Sequence, residues 1–179
     1  MKQIKIQRIT LENFKRHRLL VLDLQGRNTT VSGDNATGKS SIYDGFCWLL
    51  FGRDSLGNGE KNMDIKPLAA DGNVADHQAI TSVEAVLSVD GEELTLKRTY
   101  REVWSTKRGA LEPSFDGNTS EYYIDGVPVQ KKGFADKVGE LVDEDTFRAL
   151  TDVKYFAQAL PWQERRRTLF DIAGVMDDR

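Results

Sequence analysis

Residues Gly33 to Ser40 read Gly-Asp-Asn-Ala-Thr-Gly-Lys-Ser, the spacing G-x-x-x-x-G-K-S of a Walker A loop. Each part of that spacing has a chemical reason. Gly33 and Gly38 allow backbone turns that a Cβ would forbid, so the N–H groups of Asp34, Asn35, Ala36, Thr37 and Lys39 can converge on phosphate oxygens. A helix beginning at Lys39 adds the partial positive charge of its N-terminus. The Lys39 ammonium reaches the β- and γ-phosphates as a point charge, and it is the residue expected to support catalysis. The Ser40 hydroxyl is placed to ligate Mg²⁺, and Ser41 to donate to the α-phosphate. Chance produces this spacing in about one chain per hundred of this size, and the flanking elements make coincidence rarer still. The implied ligand is a nucleoside triphosphate with Mg²⁺.

Such a loop must hang between a strand and a helix. Upstream, Ile4 and Ile6 share one face while Ile9 and Leu11 fall on the other parity, which predicts a strand with a bulge near Gln7–Arg8. Leu19 to Leu24 reads as a second strand, and Thr29 to Gly33 as a short buried third one running into the loop. Downstream, Ile42, Phe46 and Leu49 or Leu50 recur at helical spacing from Lys39 to Phe51, and Gly52 stops the helix. Residues 1–52 therefore form strands, loop and first helix. Residues 53–79 are mostly polar and read as a long surface loop. Residues 80–129 hold two hairpins on Asp90-Gly91 and Asp125-Gly126, whose residues accept positive φ, with 104–119 loop-like between them. Residues 130–179 are helical: Phe134, Val138 and Leu141 mark one helix, Asp143 or Asp145 caps a short second, and Pro161 opens a third carrying Trp162, Leu169 and Ile172 on one side.

Composition limits the alternatives. At 179 residues, with 39% hydrophobic and 30% charged residues, the chain suits one globular core. Its longest apolar run, Phe46 to Phe51, is far short of a membrane span. The N-terminus lacks the apolar core of an export signal, and a single cysteine, Cys47, forms no internal disulfide. A cytoplasmic location with no membrane partner is expected. Net charge is −3, but the first 27 residues hold seven Lys/Arg against two acids. A basic edge on an acidic body can steer a polyanion. It is also what a solvated charged surface looks like.

The segment ITLENFKRHR, the loop and helix VSGDNATGKSSIYDGFCWLLFG, and the late stretch YFAQALPWQERRRTLFDIAG together resemble the N-terminal lobe of the SMC, SbcC and RecF-like ABC ATPases of DNA repair and chromosome maintenance, nearest the SbcC type. The resemblance implies a P-loop α/β fold with an antiparallel β-hairpin subdomain, a single N-lobe over 1–179. It implies that Asn35 contacts phosphate and that Lys15 and Arg16 lie near the nucleotide. It implies ATP hydrolysis in the intact protein, gating a dimer of two heads. The expected partners are a C-terminal ATPase lobe and coiled coil of the same protein, a second copy, DNA and a nuclease subunit.

The pattern also departs from the family. The Q-loop glutamine, a Mg²⁺ ligand, is expected around Thr151 to Val153, where none stands; Gln158 is the nearest candidate and Gln163 the next. No LSGG-type signature is present. Val86 to Asp90 is a poor Walker B, because Ser88 interrupts it and Asp90-Gly91 suits a hairpin turn. In the family these motifs lie beyond the coiled coil, so the chain reads as an N-lobe that hydrolyses little ATP alone. The alternatives are a non-catalytic nucleotide-binding and dimerisation module, and a small P-loop kinase, for which loop 53–79 offers only Arg53 and two lysines. The remaining residues read blandly. His17 and His77 are surface histidines, Cys47 a buried inert thiol, Trp104 and Trp162 core or interface residues. Arg165, Arg166 and Arg167 form a solvated face or meet DNA phosphates.

Overall fold

A computed structural model describes residues 2–106, 108–109, 112–152 and 155–173. The chain divides into two compact units, residues 1–137 and 138–179.

The first unit is built on six antiparallel strands: β1 (Ile4–Phe14), β2 (His17–Asp23), β3 (Thr81–Val89), β4 (Glu92–Ser105), β5 (Ser114–Ile124) and β6 (Val127–Val129), in the order β2-β1-β3-β4-β5-β6. The parity switch in β1 is a bulge, where register against β3 slips between Ile6 and Arg8. Asp90 and Asp125 sit at φ 53 and 50 in the two-residue turns that the Asp-Gly pairs predict. One helix, α1 (Lys39–Phe51), packs on β1, β3 and β4. Leu11, Phe14, Val83, Leu87, Leu96, Trp48 and Leu49 are fully buried between them.

The face that α1 buries matches the apolar stripe expected at Leu49 and Leu50 but not in its first two turns. Ser41, Asp44, Gly45 and Trp48 are buried, whereas Ile42 and Phe46 are only half-buried. Close approach selects this face. A Cβ on Gly45 would lie 2.9 Å from Leu11 Cδ2 and 3.4 Å from Phe14 Cε1, so the glycine lets the sheet's apolar side chains meet the helix backbone.

Three further expectations need correction. Thr29 to Gly33 is neither a strand nor buried: it is exposed, and no described strand pairs with it. A short run with one apolar residue, Val31, has nothing here to pair against. Residues 104–119 are largely not loop, because β4 runs to Ser105 and β5 starts at Ser114, with Trp104 paired to Phe115 across a bulge. That ribbon is largely exposed apart from Glu102, so its sequence carries no period-2 signal. Trp104 is 42% exposed and belongs to no core; its ring stands edge-on to His77 and Phe115.

The long segment 53–79 is anchored rather than loose. It contains a 3₁₀ turn, Glu60–Asn62, and buries Met63, Ile65 and Lys66. The Lys66 ammonium donates to His77 O at 2.6 Å and pairs with Glu102 at 3.3 Å. Burial pushes the Glu102 carboxyl up, but hydrogen bonds from His77 and Trp104 and the Lys66 charge hold it below its ordinary value. At the segment's start, Glu60 Oε1 accepts from Trp48 Nε1, Arg98 Nη2 and Ser120 Oγ.

The second unit contains the end of α2 (Lys131–Leu141), α3 (Glu144–Thr151), a π-helical turn (Tyr155–Ala159) and α4 (Trp162–Ala173). Asp143 caps α3 by accepting from Thr146 N at 3.0 Å. Trp162 and Leu169, one face of α4, are exposed rather than core; the side chain of Ile172, and Gly174, lie outside the described residues. No helix of the described residues is long and apolar enough to cross a membrane.

Candidate functional site: a phosphate loop clamped by a basic hairpin

The loop Gly33 to Ser40 opens onto solvent from Gly33 to Thr37, while Gly38 is buried and Lys39 half-buried at the start of α1. Gly38 sits at φ 93, in the left-handed region, and is the N-cap of α1. It has a second reason to lack a side chain: a Cβ there would lie 2.7 Å from His17 Nε2. Ala36 also takes a positive φ, 62, at the crest beside Asn35. Thr37 Oγ1 donates to Asp34 O at 2.8 Å and closes the loop on itself.

Lys39 folds back across the loop. Its ammonium donates to Gly33 O at 2.6 Å and Asp34 O at 2.5 Å. No side chain caps α1, and its first turn carries no acid. A helix N-terminus left with orphan N–H groups and an adjacent cation is an anion site in want of its anion, so the residues present fit a phosphate. They fit Mg²⁺ in a restricted way. No group of three or more His, Cys, Asp or Glu among the described residues could hold a metal. The chain offers the exposed Ser40 hydroxyl, which suits an ion that keeps phosphate oxygens and waters as its other ligands.

The basic segment between β1 and β2 reaches this helix. Phe14 and His17 pair across a tight turn whose centre is Lys15-Arg16. Phe14 is buried with its ring 5.7 Å from that of Trp48 on α1. Lys15 sits at φ 49, a strained value for a residue with a Cβ. Its N–H bonds Ile65 O at 2.7 Å, and its ammonium pairs with Asp44 of α1 at 2.6 Å. Asp44 also accepts from the Ser55 N–H and hydroxyl. Lys15 is therefore half-buried and committed, not the exposed side chain its place after a strand predicts. Arg16, between two anchored neighbours, is exposed.

A cleft of about 910 Å³ brings Lys15, Arg16 and Arg18 to a common wall with the buried Ser41. Of the predicted loop residues Ser41 alone lines that cleft; the hairpin meets the loop itself through His17 at Gly38 O. Gln158 lies in the π-helical turn of the second unit, and its side chain is outside the described residues, as is Val153. Gln163 is exposed on α4. Asp90 is held in its turn, where its carboxylate accepts from Gln3 N at 2.7 Å.

Two residues at this site escaped the reading of the sequence. Asp44 is the lone acid of α1, set among apolar and aromatic residues from Ile42 to Phe51, and that isolation was the available signal. His17 looked like one more member of a basic run; the signal lay in the tight turn, which pairs it with the buried Phe14.

Residues 8–170 match the family described as AAA domain. A stretch of 57 residues is 39% identical to the DNA double-strand break repair Rad50 ATPase of Saccharolobus solfataricus, covering 32% of this chain and 7% of that relative. A solved structure from work on ATP-driven dimerization and DNA-stimulated activation of SMC ATPases superposes with a TM-score of 0.59 at 20% identity, covering 94% of this chain and 99% of that one. The Smc head domain with coiled coil and joint from Pyrococcus yayanosii superposes at 0.60 and 19% identity, over 96% of this chain and 32% of that one. The fold expected from the sequence is the P-loop NTPase fold of these heads. With residues 8–170 matched, the chain belongs to the AAA domain family, on the fold of the SMC ATPase heads.

Proposed function

We propose that this chain is the nucleotide-holding half of a two-lobe ATPase that acts in DNA repair or processing. ATP binds with its phosphates on Gly33 to Ser41 and its remaining parts towards Arg16 and Lys15. The observation that carries this reading is the Lys39 ammonium, folded onto Gly33 O and Asp34 O at the uncapped start of α1. Ser40 would hold Mg²⁺; the ion neutralises phosphate charge when bound.

The chain's own residues bind and orient; they do not activate water. Asp90 is occupied by Gln3, and no Asp-Glu pair follows an apolar strand. A C-terminal lobe would supply the Walker B acid, and the signature motif of a second head would close over the nucleotide. What supports a further lobe is the exposed run Thr29 to Gly33 leading into the loop. The exposed Trp162 and Leu169 on α4 support a helical partner there, the coiled coil of the same protein. DNA and a nuclease subunit are further partners in this reading, and the cytoplasm is its setting.

The test is steady-state phosphate release. The chain alone should stay near the no-enzyme baseline, with or without DNA, and addition of the C-terminal lobe should restore turnover. Water placement and charge stabilisation are together worth many powers of ten in phosphoryl transfer, so the contrast should be large. Multiple turnovers by the chain alone that Lys39→Ala abolishes would contradict the half-site reading and turn attention to Asp64 and Asp90. Turnover that never appears when the second lobe is supplied would favour a non-catalytic binding module.

A further inference from the structure

We propose that His17 is a positioning residue for the nucleotide phosphates: its imidazole fixes the Gly38 peptide so that the Lys39 N–H faces the ligand. The inference rests on the proposed nucleotide site and adds to it a residue outside the loop.

The geometry begins with the acceptor. His17 Nε2 lies 3.0 Å from Gly38 O. A carbonyl only accepts, so Nε2 carries the proton and donates. Gly38 O also accepts from Ser41 N at 3.1 Å. The carbonyl is therefore held from two sides. In a planar trans peptide the C=O and the following N–H point in opposite directions. Fixing Gly38 O fixes the Lys39 N–H, directed away from the helix body at its N-terminus. That group is one of the orphan donors on which an anion site depends.

The fit is close as well as bonded. The imidazole lies so near that a Cβ on Gly38 would stand 2.7 Å from Nε2 and 2.9 Å from Cε1. Gly38 adopts a left-handed conformation that solvent alone would not hold in one geometry. No side chain caps α1; His17 restrains its first peptide from the carbonyl side instead.

The imidazole is delivered from a rigid corner. Phe14, its cross-strand partner, is buried against Trp48. Lys15 is pinned through its backbone to Ile65 and through its side chain to Asp44. Strain retained at Lys15 φ 49 marks a corner that its surroundings over-determine, a pattern associated with ligand sites. His17 thus couples the β1–β2 hairpin to the loop, and the binding-competent peptide orientation is set before nucleotide arrives. Preorganisation of this kind raises affinity by removing an ordering cost.

The test compares His17→Gln with His17→Leu in the full chain. Gln keeps an N–H donor on a side chain of similar reach, whereas Leu keeps bulk and loses the donor. Calorimetric titration with MgATP and thermal melting are read together. We expect His17→Gln to bind within about twofold of wild type. We expect His17→Leu to bind roughly 3- to 10-fold more weakly, the scale of one neutral hydrogen bond, with both melting temperatures within about 2 °C of wild type. Equal affinities for the Gln and Leu variants would overturn the proposal. So would a Leu variant that melts far below wild type, since His17 would then be holding up the fold rather than the loop. Wild-type protein that fails to bind MgATP would instead sink the nucleotide site itself, and the two failures are distinguishable in the same titration.

Discussion

Lys39→Ala is expected to weaken MgATP binding by roughly 10- to 100-fold while leaving the melting temperature within about 2 °C of wild type. The affinity loss follows from charge. The ammonium is the cation of the loop itself, and a charge-assisted hydrogen bond to phosphate is worth about 1.5–3 kcal/mol. The unchanged stability follows from exposure. The two carbonyls that Lys39 now satisfies, Gly33 O and Asp34 O, belong to exposed residues, so water replaces the ammonium with little penalty. Calorimetry with MgATP measures the first quantity and a melting curve the second. An unchanged affinity would remove the loop from the site. A collapsed melting temperature would mean that the lysine staples the empty loop into the fold.

Glu60→Ala should have the opposite profile, a large loss of stability from a residue of the long polar segment. Glu60 Oε1 accepts from Trp48 on α1, Arg98 on β4 and Ser120 on β5. Arg98 is the reason the loss is large. Its side chain is only 5% exposed and is sandwiched with the Trp48 and Tyr122 rings 4.7 and 4.9 Å from its centre. Burial pulls the guanidinium below its ordinary value, with Glu60 and Tyr122 acting to raise it. Removing Glu60 leaves a buried cation without its counter-charge. Such losses run to about 3–5 kcal/mol; partial exposure of Glu60 reduces the expectation to about 2–3 kcal/mol. For a domain of this size that is a fall of roughly 5–10 °C in melting temperature. The double variant Glu60→Leu with Arg98→Met should recover most of it, because neither charge then remains to be desolvated. Denaturant unfolding reads both. A single-variant loss below about 0.5 kcal/mol would place the pair among ion pairs of no consequence.

These two residues illustrate what was legible in the sequence. Lys39 announces itself because its chemistry is local: the glycines, the lysine and the serine that form the phosphate cradle are eight consecutive residues. The turns at Asp90-Gly91 and Asp125-Gly126 are legible for the same reason, since turn type is decided by two residues. Glu60 is silent because its partners stand 12, 38 and 60 positions away. Met63, Ile65 and Lys66 are silent too. They are buried singly, in a segment without the period that betrays a helix or strand. The face of α1 was misread because amphipathic counting rewards Ile42 and Phe46, whereas close packing rewards Gly45, which lacks a side chain to bury. Lys15 was misread as exposed because Asp44 lies 29 residues on. The antiparallel sheet as a class was accessible. Its ribbon of β4 and β5 beyond Tyr100 was not, because polar residues on both faces give strand and loop the same composition.

Phosphate held on Gly33 to Ser41, as proposed, must register in the amide signals of those residues. In the nitrogen-labelled chain titrated with MgATP, the largest shifts should fall on the backbone N–H groups of Gly33 to Ser41, with the ring of His17 responding beside them. The same titration of Lys39→Ala should leave those amides near their starting positions at equal nucleotide concentration. Shifts that bypass the loop and concentrate elsewhere, for instance on Asn58, Asn62 and Ala69 of the cleft lined by Lys15 and Arg16, would place the phosphates outside the loop.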